Sequence, residues 1–286
     1  MSLKEIKVRI ASVGNTRKTT SAMKMVSSVK LRKAQQAVQN ALPYVAELDR
    51  ILSGLVGMPD FAEMPLMHER PVSNVAIIAI SSDSSLCGGF NSNIIRHAGE
   101  LYRRYRDGMD PQPLFYTLGQ KITESFQKSG IEVNAGYSDL VATRDYHQAA
   151  DLADDLMEIF LNGKLDRVVL TYTHFKSPGS QVIVDETLLP LSVPEDTGDG
   201  SGTDYILEPS AEGLLQTLLP KVIRMKLYSA MLDSYCSEQA ARVIAMQAAT
   251  DNADNLLGEL RLQYNKLRQQ AITNELLDLA GGQIDK

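Results

Sequence analysis

What this chain of 286 residues holds little of narrows it first. Its two cysteines, Cys87 and Cys236, are far apart, which excludes a disulfide framework and reads as two buried thiols of a reducing compartment. Its four histidines, His68, His97, His147 and His174, share no metal-ligand spacing, so a zinc centre is not expected. No apolar run reaches the roughly 18 residues that could span a bilayer. The opening MSLKEIK enters a helical pattern with no secretory or transit signature, and none is expected. Aromatic residues make up only 6% of the chain, and no groove-reading motif accompanies them. Acidic residues are nearly missing from the first 46 positions: Glu5 stands alone against Lys4, Lys7, Arg9, Arg17, Lys18, Lys24, Lys30, Arg32 and Lys33, in a chain of net charge -6. Such a local excess of cations meets an anionic partner, whether nucleic acid, lipid headgroups or an acidic protein surface.

What is present is ordinary in amount and unusual in arrangement. At 44% hydrophobic and 22% charged residues the chain is foldable, and its length suggests about two structural units. Two long helical stretches are expected at its ends, over 3–58 and 208–282. Alternating steps of four and three through the first give Ile6, Ile10, Val13, Arg17, Thr20, Lys24, Ser27, Leu31, Ala34, Val38, Ala41, Val45, Leu48, Leu52 and Leu55. All are apolar except the four from Arg17 to Ser27, which lie together. The second stretch carries a like seam from Leu215 through Leu232, Cys236, Met246, Leu257 and Leu260 to Leu267, broken by Ser229, Gln239 and Thr250. A seven-residue repeat held this long implies a left-handed supercoil. Pro43 is expected to kink or locally break the first helix.

Between the ends the period changes. VAIIAIS (75–81), PLFYTL (113–118), IEV (131–133), DRVVLTYTHF (166–175) and VIVDETLLP (182–190) read as strands. They alternate with helices at about 91–106 and 145–163 and with the helical GQKITESFQKSG, which argues a small α/β sheet with parallel crossovers. The last two strands, separated by a few residues including Pro178 and Gly179, form an antiparallel hairpin at one edge. Gly- and Asp-rich residues 191–207 read as a mobile loop.

Because the α/β segment separates the two seams, the helices meet only by folding back into an antiparallel pair. At about 1.5 Å per residue the first reaches about 80 Å from the base and the second about 110 Å. The excess beyond roughly residue 260 has no partner within the chain, yet Leu276, Leu277, Leu279 and Ala280 surround its circumference. Other protein is expected to enclose that end. Length matching sets Arg17–Ser27 against roughly Gln239–Thr250, with looser or water-containing packing.

Chemical signatures are weak. GNTRKTT (14–20) lacks the glycine before lysine of a phosphate loop and lies inside a helical seam. LCGGFN (86–91) follows a strand and opens a helix, but one glycine pair without the full spacing reads as a tight turn. No base flanks Cys87, no serine triad is visible, and no cofactor is implied.

MKMVSSVKLRKAQ (23–35), SSLCGGFN (84–91) and the stretch from SEQAARVIAMQ (237–247) through LRQQAITNELLDLAGG (267–282) together resemble the γ subunit of F-type ATP synthases, the rotor shaft. The likeness runs the length of the chain in the same order. It implies an α/β fold with long helices: an antiparallel two-helix coiled coil of 1–58 and 208–286, with a small Rossmann-like domain over 74–190. It further implies a non-catalytic rotor subunit whose partners are three α and three β subunits, the ε subunit and the membrane c-ring, at the cytoplasmic face of a bacterial inner membrane. Carried onto matching positions, Met23 and Lys24 contact the acidic levers of β, and Arg242, Arg268, Gln269, Thr273 and Glu275 contact β from the other helix. Tyr205 and Glu208 of DYILEP contact ε and the ring. The chain departs from the family at Ser84-Ser85, where a basic residue and glycine are usual, and at the closing QIDK. It also lacks cysteines over 191–208, so the redox switch of chloroplast relatives is not expected. The rival reading is a basic coiled-coil protein that binds nucleic acid; another is a nucleotide hydrolase with a helical arm.

Overall fold

The computed structural model describes residues 2–55, 64–107, 112–192 and 210–281, with the side chains of Asp139, Ala211 and 278–281 left aside. In chain order the elements are α1 (Leu3–Leu55), β1 (Val75–Ile80), α2 (Phe90–Arg106), β2 (Leu114–Leu118), α3 (Gln120–Lys128), β3 (Ala135–Tyr137), α4 (Ser138–Thr143), α5 (Tyr146–Leu161), β4 (Arg167–Ser177), β5 (Ser180–Leu189) and α6 (Ala211–Gly281). Two compact units emerge: a terminal unit, Met1–Ser28 with Arg242–Lys286, and a central unit, Val29–Ala241.

The central unit is built on a five-stranded sheet of order β3-β2-β1-β4-β5. β1 runs parallel to both β2 and β4, β2 runs parallel to β3, and only β5 is antiparallel, at the edge. This mixed sheet matches the crossovers and edge hairpin expected from the sequence. VAIIAI is apolar throughout because β1 is buried on both faces. Val75, Ile77 and Ala79 pack with Leu101 and Tyr102 of α2 and Ile122 and Phe126 of α3. Ala76, Ile78 and Ile80 face the larger core, which gathers Leu48, Leu52 and Leu55 of α1, Leu152, Leu156 and Phe160 of α5, and Leu215 to Met231 of α6. Phe115, ringed by Tyr102 edge-on at 5.8 Å and Phe126 at 4.7 Å, centres the smaller core.

Polar ties fix the elements onto these cores. Asp166, just before β4, accepts from the backbone N–H groups of Ser73 (3.0 Å) and Asn74 (2.8 Å), just before β1. Burial pushes its carboxyl up, but those donors and the nearby Arg70 outweigh it and hold the group below its ordinary value. Arg224 of α6 donates a forked pair of hydrogen bonds to Asp154 of α5, at 2.7 and 2.9 Å. Asp233 of α6 accepts from the backbone N–H of Phe175 at 2.9 Å, pinning the hairpin.

The terminal unit is a two-helix pair. The Thr20 and Thr250 hydroxyls meet at 2.9 Å, and Arg17 pairs with Asp254. These contacts prove the antiparallel sense and place residues 17–27 opposite about 243–254, one turn from the register that length matching gives. Ile6, Ser27, Met246, Ala253, Leu257 and Leu260 are buried.

Several expectations change. IEV (131–133) forms no strand; β3 is Ala135–Tyr137. Asn134 explains the shift, donating its N–H to the Phe115 carbonyl (2.9 Å) while its side-chain oxygen accepts from the Phe115 N–H (2.7 Å), so it takes the pairing position beside β2. α1 passes through Pro43 without a break. The seam positions Val38, Ala41 and Val45 are only half-buried, because α1 buries no side chain between Ala34 and Leu48. Residues 193–207 of the expected loop lie outside the described residues, whereas Leu191, at its start, is buried.

Candidate partner interface

The interface candidates divide by burial. On α1, Met23 and Lys24 are half-buried beside a buried Ser27. On α6, Arg268, Gln269, Thr273 and Glu275 are all exposed, and Thr273 returns its hydroxyl to the Gln269 carbonyl at 2.9 Å as an ordinary helix-internal bond. The structure therefore brings these four together on one short exposed stretch of helix. Arg242 differs: it is 7% exposed, next to a buried run of Ser234, Ser237, Glu238 and Gln239. Tyr205 and Glu208 lie outside the described residues.

Among the four exposed α6 residues, large apolar side chains also stand in solvent. Leu262 is 73% exposed, Leu276 62% and Leu277 64%, with Ile272 also exposed. Among the described residues, more than half of the large apolar side chains left in solvent belong to the terminal unit, Val8, Met25, Val26 and Ile244 completing the set. Met25 and Val26 lie off the seam and so outside the heptad count. At about 1.5–3 kcal/mol for each large side chain removed from water, this surface favours a covering protein.

The electrostatics points the same way. Of the nine cations on the first 46 residues, Arg17 alone has an ion pair among the described residues. That pair is about half exposed, so it is worth less than about 1 kcal/mol and cancels little of the field. The remaining cations project a positive potential into solvent, which would favour an anionic partner.

The turn over 81–91 is a structural one. The Ser82 N–H and hydroxyl both reach the side-chain oxygen of Asn91, at 3.1 and 2.9 Å, and Asp83 accepts from the first N–H of α3 (Gln120, 2.9 Å). The side chains of Ser82, Asp83 and Asn91 are thus engaged inside the fold. Gly119 lets β2 turn into α3 against this segment: at φ +103° a Cβ there would sit 2.6 Å from the Ser81 carbonyl oxygen. Cys87 and Cys236 are both free and buried. Burial, with a smaller push from Asp233, raises the Cys236 thiol to about 12, which keeps it protonated and unreactive. Among the described residues no three His, Cys, Asp or Glu side chains gather as a metal site, and no helix is long and apolar enough to cross a membrane.

Two long terminal helices with a mixed five-stranded sheet between them in sequence, and large apolar side chains left in solvent on the second helix, are the features of a subunit completed by an assembly. The family model described as ATP synthase matches residues 2–283, nearly the whole chain. The ATP synthase gamma chain of Phocaeicola vulgatus is 48% identical over 285 residues, and that of Bacteroides fragilis 49%, each comparison covering 98% of both chains. That of Trichlorobacter lovleyi is 41% identical. Among solved structures, a rotor chain of the Euglena gracilis mitochondrial ATP synthase covers 94% of this chain with a TM-score of 0.65 at 18% identity. A chain of the Tetrahymena thermophila central stalk/c-ring assembly covers 81% with a TM-score of 0.58 at 22% identity. At those identities the structures speak for the fold. The chain belongs to the ATP synthase gamma chain family. The reading as a nucleic-acid-binding protein finds no support.

Proposed function

We infer that this chain is the central-stalk rotor subunit of a bacterial F-type ATP synthase and carries out no covalent chemistry of its own; the catalytic sites lie on β subunits. Its partners are three α and three β subunits around the exposed residues of α6, with ε and the membrane c-ring as its further partners. Its place is peripheral, at the cytoplasmic face of the inner membrane. The observation that carries this reading is the set of large apolar side chains left in solvent on α6, Leu262, Ile272, Leu276 and Leu277, in a chain that belongs to the ATP synthase gamma chain family.

The physical role follows from asymmetry. Rotation presents in turn the cationic α1 and the exposed leucine and isoleucine side chains of α6 to each of three β subunits. Each β site then shifts among conformations of different nucleotide affinity, because the rotor's contacts with those conformations differ in free energy. Met23 and Lys24 on one helix, and Arg268, Gln269, Thr273 and Glu275 on the other, are the side chains placed to make those contacts. Arg242, being buried, is left out of this outward-facing set. Tyr205 and Glu208 are assigned to ε and the ring on the family resemblance alone.

Co-expression with the α and β subunits of its own organism tests the class. The expected result is one co-purifying complex with ATPase activity that the chain alone lacks; a chain that elutes alone at moderate salt overturns the reading. Within that complex, replacing Gln269 and Thr273 together by Glu is expected to lower coupled ATP synthesis several-fold. Unchanged synthesis would remove both from the contact set.

A further inference from the structure

The central unit contains a groove of about 540 Å3 walled by α1, the β4–β5 hairpin and α6. It opens where the α1 seam fails to close, between Ala34 (5% exposed) and Leu48 (6%). Val38, Leu42 and Val45, spaced four and three apart, share one face of α1 and line it. Leu42 remains 58% exposed, so this wall is apolar and uncovered. Phe175 and Ala230 add apolar surface from the hairpin and α6. The volume lies in the range of small-molecule sites, about 300–1,000 Å3.

Its charges are unbalanced. Asp49, Glu186 and Asp233 line the groove against a single ammonium, Lys226, with His174 at the side. Asp233 is already engaged by the Phe175 N–H and by His174 Nδ1. Glu186 accepts from the Tyr172 hydroxyl at 3.4 Å and lies 3.9 Å from Lys226 Nζ. Asp49 is the exception: half-buried, it takes part through its backbone carbonyl in a bond from Ser53, while its carboxylate has no hydrogen bond or ion pair among the described residues. It stands one turn beyond Val45, so Val38, Leu42, Val45 and Asp49 form a line about 16 Å long running from apolar to anionic.

We propose that this groove binds an organic monocation with an extended apolar body, the cationic head on Asp49 and the body along Val45, Leu42 and Val38. An anion is disfavoured by three carboxylates against one lysine. A neutral hydrocarbon would strip water from Asp49 and give it no partner. A divalent metal is disfavoured because no other free carboxylate converges on Asp49. This site is separate from the exposed α6 end and does not depend on the rotor reading.

The test uses the full-length chain with n-octylammonium, and n-octanol and n-octanoate as probes of equal length, followed by titration calorimetry. The expected result is saturable one-to-one binding of octylammonium, at least about tenfold tighter than either control. Asp49→Asn is expected to weaken octylammonium about tenfold, or about 1.4 kcal/mol, and to leave octanol unchanged. Leu42→Lys, at an exposed position, sets a cation in the groove and is expected to abolish binding. Absence of saturation, equal binding of octanol, or an unaltered affinity in Asp49→Asn would each overturn the proposal.

Discussion

The central unit buries apolar side chains on both faces of a sheet, whereas the terminal unit buries a single seam and leaves more large apolar groups in solvent than it covers. The contrast separates two uses of hydrophobic residues. Around β1 they make the fold self-sufficient: Ile77 and Ile78, neighbours in sequence, are each wholly buried in a different core. Past Leu260 on α6 they leave the fold incomplete, because Leu262, Ile272, Leu276 and Leu277 stay in solvent. A subunit that turns inside other proteins needs both, a rigid body to receive torque and a surface that only an assembly can dry.

That contrast can be broken or sharpened by substitution. Phe160→Ala, at a wholly buried site of the larger core, is expected to cost about 3–5 kcal/mol, read as a large fall in the unfolding midpoint of the isolated chain. Asp166→Asn removes an anion held by two backbone donors and is expected to cost about 1–3 kcal/mol. Because the folded Asp166 titrates below its ordinary value of 3.8, its contribution is full at neutral pH and is lost as pH falls below that value. Urea melts at pH 7 and pH 3 are therefore expected to show the gap between wild type and Asp166→Asn shrinking in acid. Thr250→Val deletes the Thr20 contact across the terminal pair, and about 0.5–1.5 kcal/mol of local stability is expected to go, detected by faster amide exchange near residues 246–254. The smallest effect on the isolated chain is expected from Leu276→Ser with Leu277→Ser: a change within about 0.5 kcal/mol, together with a marked loss of assembly with α and β subunits. If that pair destabilised the free chain as much as Phe160→Ala, the distinction between the units would fail.

Much of this was readable in the residues, and the misses have physical causes. The run VAIIAI declared a strand buried on both sides, and Pro178-Gly179 declared the edge hairpin. IEV misled because Ile131 and Val133 are half-buried against the smaller core from a loop, while AGY, with no apolar alternation, pairs with β2 through Asn134. Tertiary contact overrode local pattern there. The coiled-coil seam was legible as a period but not as burial. Over 35–47 its apolar positions stay half-open, and the resulting groove has no signature in a heptad count. The register was legible to one turn, since chain length fixes it only that closely and the Thr20–Thr250 bond fixes it fully. Of the residues proposed for the interface, Arg268, Gln269, Thr273 and Glu275 are exposed. Arg242 sits in a stretch of α6 that buries serine and glutamine as well, which no side-chain pattern announced.

The most direct test is hydrogen exchange along α6 in the free chain and in its complex with α and β subunits. The account predicts that amides over residues 262–277 exchange quickly in the free chain and are strongly protected in the complex, with those of β1 slow in both. Equal exchange over 262–277 in the two states would contradict the claim that foreign protein completes this helix.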